Sequence, residues 1–168
     1  MSSLDAIDRR ILAELQRDAA RPLAEIARAV GLSATPCWRR IQLLEKAGIV
    51  TRRVALLDPA KVGCGVTVFV RVKTAHHDYA WLEDFTARIA AVPEVVGCYR
   101  MSGDIDYLLK VVVPDIAGYD GVYKRLVSLA KFADVSSSFA LETLKETTAL
   151  PLDYLDYAPS KPARGRRR

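Results

Sequence analysis

Residues 31–49 constrain this chain more than any other stretch, because they predict a tight turn followed by one helix with two unlike faces. Gly31 can adopt a left-handed backbone conformation and end a preceding helix, and the side-chain oxygen of Ser33 can cap the next one. Gly48 marks the end of that helix. Its apolar residues recur at spacings of four and three, which predicts a narrow buried stripe of Cys37, Ile41 and Leu44.

The face opposite this stripe is polar and carries Thr35, Trp38, Arg39, Gln42 and Lys46. Side chains of these types can donate hydrogen bonds to phosphates and to base edges in the major groove of DNA. Pro36 falls in the first turn, where its missing N–H removes no helical hydrogen bond. An ordinary solvated surface helix also carries outward arginines, so this stretch alone leaves both interpretations open.

Two apolar patterns precede this helix and complete a helix-turn-helix arrangement. Asp5 is the predicted cap of the first helix, and Pro22 begins the second, short one. In such a pair the second helix enters the major groove by its N-terminal part. The predicted groove-facing residues are Ser33, Thr35, Pro36, Trp38 and Arg39. The predicted phosphate contacts are Arg40, Arg52 and Arg53.

The following two thirds of the chain predict an α+β domain with the order βαββαβ, the ferredoxin-like arrangement. The predicted strands cover residues 66–73, 95–101, 106–113 and 135–146. Asp78 and Pro114 mark the starts of the two helices, and Gly103-Asp104 is a hairpin-turn signal. An additional strand is predicted over Thr51–Leu57, in the connector before this domain.

Both helices are expected to cover one face of this sheet. The other face is partly apolar and carries Phe69 on the first strand. Such a face needs a partner, and self-pairing produces a two-fold dimer. A dimer also presents two recognition helices to two DNA half-sites, so the predictions from the two parts of the chain agree.

Charge is unevenly distributed along the chain. Residues 1–53 contain ten Lys and Arg against six Asp and Glu, residues 54–159 contain ten against fourteen, and residues 160–168 contain five against none. Basic segments are typical of proteins with a polyanionic partner. We interpret the basic end either as a solubilising tail or as a non-specific, salt-sensitive DNA contact.

These patterns divide the chain into four predicted parts. They are a helix-turn-helix domain at 1–50, a hinge strand and linker at 51–61, an effector-binding and oligomerisation domain at 62–150, and a basic, disordered tail at 151–168.

The composition argues against several other classes of protein. No apolar run is long enough to span a membrane, and the N-terminus lacks the regions of a signal peptide, so a cytoplasmic location is expected. Three scattered cysteines predict neither a disulfide framework nor a zinc site. The adjacent His76 and His77 cannot share one face of an element, and no phosphate loop or dinucleotide glycine motif is present. The sequence therefore predicts no enzymatic activity and no cofactor.

Four segments of the first fifty residues resemble the Lrp/AsnC family, the feast/famine transcription regulators of bacteria and archaea. They are Leu-Asp-x-x-Asp-Arg-x-Ile-Leu from residue 4, Leu-Ala-Glu-Ile-Ala from 23, Val-Gly-Leu-Ser-x-Thr-Pro-Cys from 30 and Arg-Ile-x-x-Leu-Glu-x-x-Gly-Ile from 40. The resemblance implies a winged-type helix-turn-helix of three helices that reads operator DNA as a dimer. It also implies that Cys37 is a packed core residue.

Residues 96–110 resemble the ACT-like effector domain of the same family, and their most specific part is Ser-Gly-Asp-x-Asp-Tyr from residue 102. In relatives this turn lies at a cleft between subunits where an amino acid binds. The resemblance implies an effector site of Met101, Ser102, Gly103, Asp104, Asp106 and Tyr107. Backbone N–H groups around Gly103 can hold an α-carboxylate, and Asp104 or Asp106 can pair with an α-ammonium. Aspartate is also common in hairpin turns simply because it satisfies the local backbone.

Two positions depart from the family pattern in this domain. Ile105 stands where the motif usually has an aromatic residue, and Ser136–Ser138 stands where relatives often have threonine. These departures leave the shape of the pocket and the identity of the ligand open.

The sequence therefore predicts a sequence-specific DNA-binding transcription regulator that responds to an amino acid or a related metabolite. It would act as dimers that assemble further into tetramers or octamers. The alternative is an amino-acid-sensing ACT-like module that acts mainly through a protein partner. A small metabolic enzyme on the same sheet is a third hypothesis, for which the sequence offers no catalytic residues.

Overall fold

The chain packs around two separate cores in the computed structural model, which describes residues 4–74, 79–129 and 132–156. One unit contains Met1–Ala55 together with Lys145–Arg168, and we call it the helical unit. The other contains Leu56–Leu144, and we call it the sheet unit. The chain thus leaves the helical unit after residue 55 and returns to it at residue 145.

Three helices form the N-terminal part of the helical unit, as the apolar periodicity predicts. They are α1 (Ala6–Arg17), α2 (Leu23–Ala29) and α3 (Ala34–Lys46). Their inward side chains share one core of Ile11, Leu12, Leu15, Ile26, Ala27, Val30, Cys37, Ile41 and Leu44. The narrow buried stripe of α3 is confirmed, because its three predicted members are its buried residues.

The ends of these helices follow the predicted turn chemistry with one exception. Gly31 has a φ angle of 75°, the left-handed conformation predicted for it, and Gly48, the predicted helix end, has a φ of 71°. Asp5 caps α1, since its Oδ1 accepts hydrogen bonds from the N–H groups of Ile7 and Asp8 at 2.8 Å. Ser33 occupies the N-cap position of α3, but its side chain makes no capping hydrogen bond. A cap normally accepts from the second or third residue of the helix, and the third residue here is Pro36, which has no N–H to donate.

The sheet unit has the predicted ferredoxin-like order of elements. They are β1 (Val66–Thr74), α4 (Tyr79–Ala90), β2 (Val95–Arg100), β3 (Tyr107–Val113), α5 (Ile116–Leu129) and β4 (Phe132–Phe139). The strands pair antiparallel in the order β2-β3-β1-β4. The fourth strand ends earlier than predicted because its partner β1 begins at Val66. Phe139 pairs with Val68, the Ala140 N–H donates to the Thr67 carbonyl at 2.9 Å, and the ladder then ends.

One face of the sheet carries the core of this unit. The alternating residues Val68, Val70 and Val72 of β1 are at most 1% exposed, as the period of two predicts. α4 and α5 pack on this face through residues that include Phe85, Ile89, Val122 and Leu126. Val127, near the end of α5, is 42% exposed and does not contribute to this core. The buried residues of α5 instead follow the spacing Tyr119, Val122 and Leu126.

The connector between the two units contains no strand, so the strand predicted over Thr51–Leu57 is wrong. Residues 51–58 have no regular secondary structure, and no wing hairpin follows α3 within the described residues 51–65. The apolar side chains of Val54, Leu56 and Leu57 are 62%, 71% and 68% exposed. A strand requires a neighbour for its N–H and C=O groups, and β-branched composition alone does not supply one.

The start of the predicted tail is structured. Asp153–Asp156 forms a short 3-10 helix, and Leu152 packs against the core of the helical unit. Propensity did not reveal this, because the stabilising contact comes from helices more than a hundred residues earlier. The remaining tail at 157–168, the histidine pair at 76–77 and the predicted cap Asp78 lie outside the described residues. Among the described residues, no helix is long and apolar enough to cross a membrane.

An ion-pair cluster joins the start of α1 to the middle of α3. Arg40 Nη1 lies 2.7 Å from Asp5 Oδ2 and 2.8 Å from Asp8 Oδ1. Both aspartates also belong to the capping box of α1, in which the Asp5 N–H donates to Asp8 Oδ2 at 3.2 Å. The hydrogen bond from the Asp8 N–H, followed by that from the Arg40 guanidinium, holds the pKa of Asp5 below its ordinary value. Arg40 therefore ties the orientation of α3 to the N-terminus of α1.

Replacing Arg40 by Gln is expected to lower the Tm of the helical unit by a few degrees at pH 7, because both aspartates lose their cationic partner. A carboxyl group with a lowered pKa stabilises the fold above its unfolded pKa, and that stability is lost as the pH falls through the folded pKa. The Tm difference between wild type and Arg40→Gln should therefore shrink as the pH falls below about 4. Thermal melts followed by circular dichroism test this. The exposed neighbour Arg39→Gln is the control and should leave the Tm unchanged, whereas equal melts for wild type and Arg40→Gln would contradict the role of the cluster.

Candidate DNA interface and effector site

The residues predicted to enter the DNA groove all lie exposed at the N-terminal half of α3. They are Ser33, Thr35, Pro36, Trp38 and Arg39, and Trp38 is 52% exposed. The burial of Cys37, Ile41 and Leu44 on the other side of the helix directs them outward. Because Ser33 makes no capping bond, its hydroxyl remains available to an external acceptor. This surface combines hydroxyl, indole and guanidinium donors within two turns of one helix.

The three arginines predicted to contact phosphates have different surroundings. Arg52 is exposed in the segment after α3. Arg53 Nη2 lies 2.7 Å from Glu45 Oε1, and Gln42 Nε2 donates to the other oxygen of that carboxylate at 2.8 Å. Arg40 points towards α1, where its Nη1 contacts the two aspartates described above. The structure therefore brings Arg52 and Arg53 to the end of α3 and directs Arg40 elsewhere.

A groove beside the recognition helix was not predicted from the sequence. It has a volume of about 410 Å³ and is lined by residues of α2, by α3 and by Arg21 and Arg53, which flank the helices. Trp38 and Ile41 give it an apolar wall, and the two guanidinium groups lie on its lining. Arg21 is paired with Glu14 and lies 3.6 Å from Glu25. No local pattern indicates this groove, because only tertiary packing brings Arg21 and Arg53 to the same lining.

The predicted effector turn forms a six-residue loop, 101–106, between β2 and β3. The loop is closed by a hydrogen bond of 2.8 Å from the Met101 N–H to the Asp106 carbonyl. Gly103 has a φ of 110°, which glycine adopts without strain. Met101, Ser102, Gly103 and Asp104 are all exposed. A loop with this conformation leaves backbone and carboxylate groups accessible to a small ligand.

Asp106 is held by the neighbouring strand. Its Oδ2 accepts a hydrogen bond from the Thr74 N–H at 2.7 Å, and its own N–H donates to the Val72 carbonyl at 3.0 Å. These two bonds attach the base of the loop to the end of β1. Asp104, by contrast, is exposed at the tip. The sequence treats the two aspartates as equivalent candidates, and the structure gives them different surroundings.

Tyr107 belongs to the core of the sheet unit. It is 6% exposed, and its ring centroid lies 4.8 Å from that of Phe85 and 5.9 Å from that of Trp81. Burial raises the pKa of its hydroxyl. Its ring thus supports the loop from beneath, and the structure does not bring it to the exposed side with Asp104.

No group of three or more His, Cys, Asp or Glu side chains among the described residues could hold a metal ion. Cys37 is fully buried, as predicted, and burial raises the pKa of its thiol.

Comparison with known proteins agrees with both halves of this description. Residues 4–45 match the AsnC-type helix-turn-helix domain, and residues 67–150 match the Lrp/AsnC ligand binding domain. The chain is 50% identical over 151 residues to the DNA-binding transcriptional activator DecR of Escherichia coli strain K12, covering 89% of this chain and 99% of that protein.

Two solved structures have the same fold along almost their whole length. The crystal structure of an AsnC family transcriptional regulator from Agrobacterium tumefaciens has a TM-score of 0.87 and 57% identity, and the match covers 89% of this chain and 98% of that one. A transcriptional regulator from Neisseria meningitidis in complex with L-Met has a TM-score of 0.86 and 38% identity, with 90% and 99% covered. The helix-turn-helix, the ferredoxin-like sheet and these matches together establish that the chain belongs to the Lrp/AsnC family of transcriptional regulators.

Proposed function

We propose that this protein regulates transcription by binding operator DNA through α3 and that an amino acid bound to the sheet unit controls it. The observation that carries the proposal is the exposed N-terminal half of α3. It presents Trp38, Arg39 and the Ser33 hydroxyl, which makes no capping hydrogen bond. Relatives named as DNA-binding regulators favour this function over a module that acts mainly through a protein partner. Such a regulator works in the compartment that holds the chromosome, which is the cytoplasm in bacteria.

The surroundings of each residue support different roles at the DNA. Arg39 and Thr35 project from the side of α3 opposite its buried stripe and are assigned to base edges. Arg52 is assigned to a phosphate. Arg53 is assigned to a second phosphate, because its exposed ion pair with Glu45 is weak enough to be exchanged for a DNA contact. Arg40 is assigned to positioning of α3, since its guanidinium already binds two carboxylates.

The loop 101–106 is the proposed effector site. The Asp104 carboxylate would pair with the α-ammonium group of an amino acid, and N–H groups around Gly103 would hold its α-carboxylate. Asp106 would act by holding the loop against β1 through the Thr74 N–H. The related Neisseria regulator was crystallised with L-Met, which makes methionine the first ligand to test.

Dimerisation through the open face of the sheet is the proposed first step of assembly. The register places Thr67, Phe69 and Arg71 of β1, Tyr99 of β2, and Leu108, Lys110 and Val112 of β3 on the face that α4 and α5 do not cover. Phe69 and Tyr99 are 37% and 55% exposed, although both are large and apolar. A second copy of the same face would bury them under two-fold symmetry, and pairs of dimers would build the larger assemblies.

The DNA assignment predicts that Arg39→Gln weakens specific binding without unfolding the protein. A base contact contributes about 1–3 kcal/mol, so the Kd for the preferred site should rise about 5- to 150-fold while the Kd for random DNA changes little. The specific site can be selected from a random DNA pool with the wild-type protein, and fluorescence anisotropy can then measure both affinities. Lys124→Gln removes a cation from α5 and is the matched control. If Arg39→Gln kept its preference for the selected site, α3 would not be the reading element.

The effector assignment predicts opposite results for the two aspartates of the loop. Asp104→Ala should keep the Tm of the free protein but abolish the Tm increase caused by the amino-acid ligand. Asp106→Ala should lower the Tm of the free protein, because the Thr74 N–H loses its acceptor. Thermal shifts with L-methionine and then the other amino acids test this, since a ligand at a hundred times its Kd stabilises by about 2.7 kcal/mol. A full ligand response in Asp104→Ala would place the effector elsewhere.

The proposed dimer predicts that Phe69→Glu separates the subunits, because two carboxylates would be buried at the two-fold interface. Sedimentation velocity should show a shift from dimer or larger species to monomer. Val127→Glu is the matched control, since Val127 is 42% exposed on α5, away from the open face of the sheet. Unchanged sedimentation of Phe69→Glu at low micromolar concentration would rule out this face as the interface.

A further inference from the structure

The groove beside α3 has an apolar surface that is open to a small ligand. Ile26 and Ile41 are only 2% and 3% exposed and still line it, so they form its base, and Leu23 extends the same surface. Trp38 lines the groove as well and is 52% exposed. Three aliphatic side chains and an indole thus surround a volume of about 410 Å³, and all of the lining residues belong to the helical unit.

The polar part of the groove is built around the Glu45 carboxylate. Its Oε1 accepts a hydrogen bond from Arg53 Nη2 at 2.7 Å, and its Oε2 accepts one from Gln42 Nε2 at 2.8 Å. All three residues line the groove. The side chains of Arg53 and Glu45 are 44% and 33% exposed, so both members of this ion pair are accessible. Exposed pairs of this kind are weak, and a ligand with suitable charges can therefore replace the contact.

The second guanidinium group of the lining is already neutralised from outside the groove. Arg21 pairs with Glu14, whose side chain is 12% exposed, and Arg21 Nε lies 3.6 Å from Glu25. Neither of these carboxylates lines the groove. The charges that remain for a ligand are those of Arg53 and Glu45. The groove thus offers one positive and one negative group, with no net charge between them.

These two charges identify the chemical class of the ligand. A simple carboxylic acid would contact Arg53 but would bring a second anion next to Glu45, and a simple amine would bring a second cation next to Arg53. The zwitterion of a free amino acid can place its α-carboxylate on Arg53 and its α-ammonium group on Glu45, so that each charge meets its opposite. The adjoining apolar surface favours an amino acid whose own side chain is apolar.

We infer that the groove beside α3 is a second amino-acid site, which binds the zwitterion of an apolar amino acid between Arg53 and Glu45 and its side chain against Trp38 and Ile41. This site is separate from the loop 101–106, which belongs to the sheet unit. Trp38 and Arg53 are also part of the proposed DNA surface, so the bound amino acid excludes DNA from α3 directly. This competition rests on the proposed DNA-binding function, whereas the binding of the amino acid does not.

Intrinsic fluorescence can measure this binding without DNA. The chain contains two tryptophans, Trp38 and Trp81, so Trp81→Phe leaves the Trp38 indole as the reporter. Titration of this variant with L-leucine should change the Trp38 emission, because the ligand covers a half-exposed ring. Trp38→Phe retains Trp81 and should show no change. If Trp81→Phe fails to fold, the difference between the wild type and Trp38→Phe gives the same signal.

Analogues of leucine test the requirement for both charges. Isocaproate lacks the ammonium group and isoamylamine lacks the carboxylate, and each should bind about fivefold more weakly than L-leucine. The apolar surface is tested by L-alanine, L-norvaline and L-norleucine, whose Kd should fall by up to about fourfold for each added methylene.

Variants of the ion pair test the location of the site. Glu45→Gln and Arg53→Gln should each raise the Kd for L-leucine about fivefold, because each leaves one charge of the ligand without its partner. Arg28→Gln is the matched control, since Arg28 is an exposed cation of α2 that does not line the groove. Asp104→Ala should retain the Trp38 response, because the loop 101–106 does not take part in this binding.

The competition with DNA is best measured in the Asp104→Ala variant, in which the proposed loop site is disabled. L-Leucine at nine times its Kd for the groove should raise the apparent Kd for DNA about tenfold, as measured by fluorescence anisotropy. Combining Asp104→Ala with Glu45→Gln should reduce this effect at the same leucine concentration.

The outcomes separate this inference from the proposed function. Unchanged Trp38 emission with all apolar amino acids overturns the second site, and so does a response that keeps its full affinity in Glu45→Gln. Equal Kd values for L-leucine and isocaproate overturn the assignment of a zwitterion. A Trp38 response without displacement of DNA from Asp104→Ala overturns the competition. A wild-type protein that binds L-leucine in the groove but binds no DNA overturns the proposed function and leaves the second site in place.

Discussion

The helical unit depends on the burial of one narrow stripe of α3 against α1 and α2. A helix of 13 residues is marginal in water by itself, so the burial of Cys37, Ile41 and Leu44 provides most of its stability. Because the stripe is narrow, the opposite half of the helix surface remains free for recognition. The contact of Arg40 with Asp5 and Asp8 adds a second constraint at the edge of the stripe, and this contact holds α3 in one orientation relative to α1.

Burial on one side only also determines how the sheet unit is built. Two helices cover one face of the four strands, and the valines of β1 and the alternating residues of β3 fill that side. The other face retains large apolar side chains beside Arg71 and Lys110, and we propose that a second copy of the chain covers it. The loop at 101–106 projects from this rigid sheet, and Asp106 attaches it to β1 while the loop tip remains exposed. If this loop is the effector site, as we propose, it is already ordered before a ligand arrives, which reduces the entropy lost on binding.

The division of charge between the units has consequences beyond any single contact. A positive helical unit attracts DNA over distances of about a Debye length, and a slightly negative sheet unit does not compete for the phosphates. The helix α3 belongs to the positive unit. Affinity for any DNA and preference for a particular sequence can therefore be supplied by different residues of one unit.

The sequence by itself determined the features whose physical cause is local. Periods of 3.6 and 2 identified the three helices, the buried stripe of α3 and the alternating face of β1, since burial of one face repeats with the geometry of the element. Gly31, Gly48 and Gly103 were recognisable because a positive φ favours glycine at the point where the chain turns. The motifs around Thr35 and Asp104 were sufficient to place the chain in its family.

Only the tertiary structure decided which partner each polar or unpaired group meets. It directed Arg40 to two aspartates more than thirty residues earlier, gave Asp106 and Asp104 different surroundings, and ended β4 where β1 offers no further partner. It also left 51–57 without a neighbouring strand and returned Leu150 and Leu152 to the first helices. The physical reason is that a hydrogen bond or an ion pair requires two groups within about 3 Å. Which distant segments approach that closely depends on the packing of the whole chain, whereas the pattern that makes a helix or a strand is present in each segment alone.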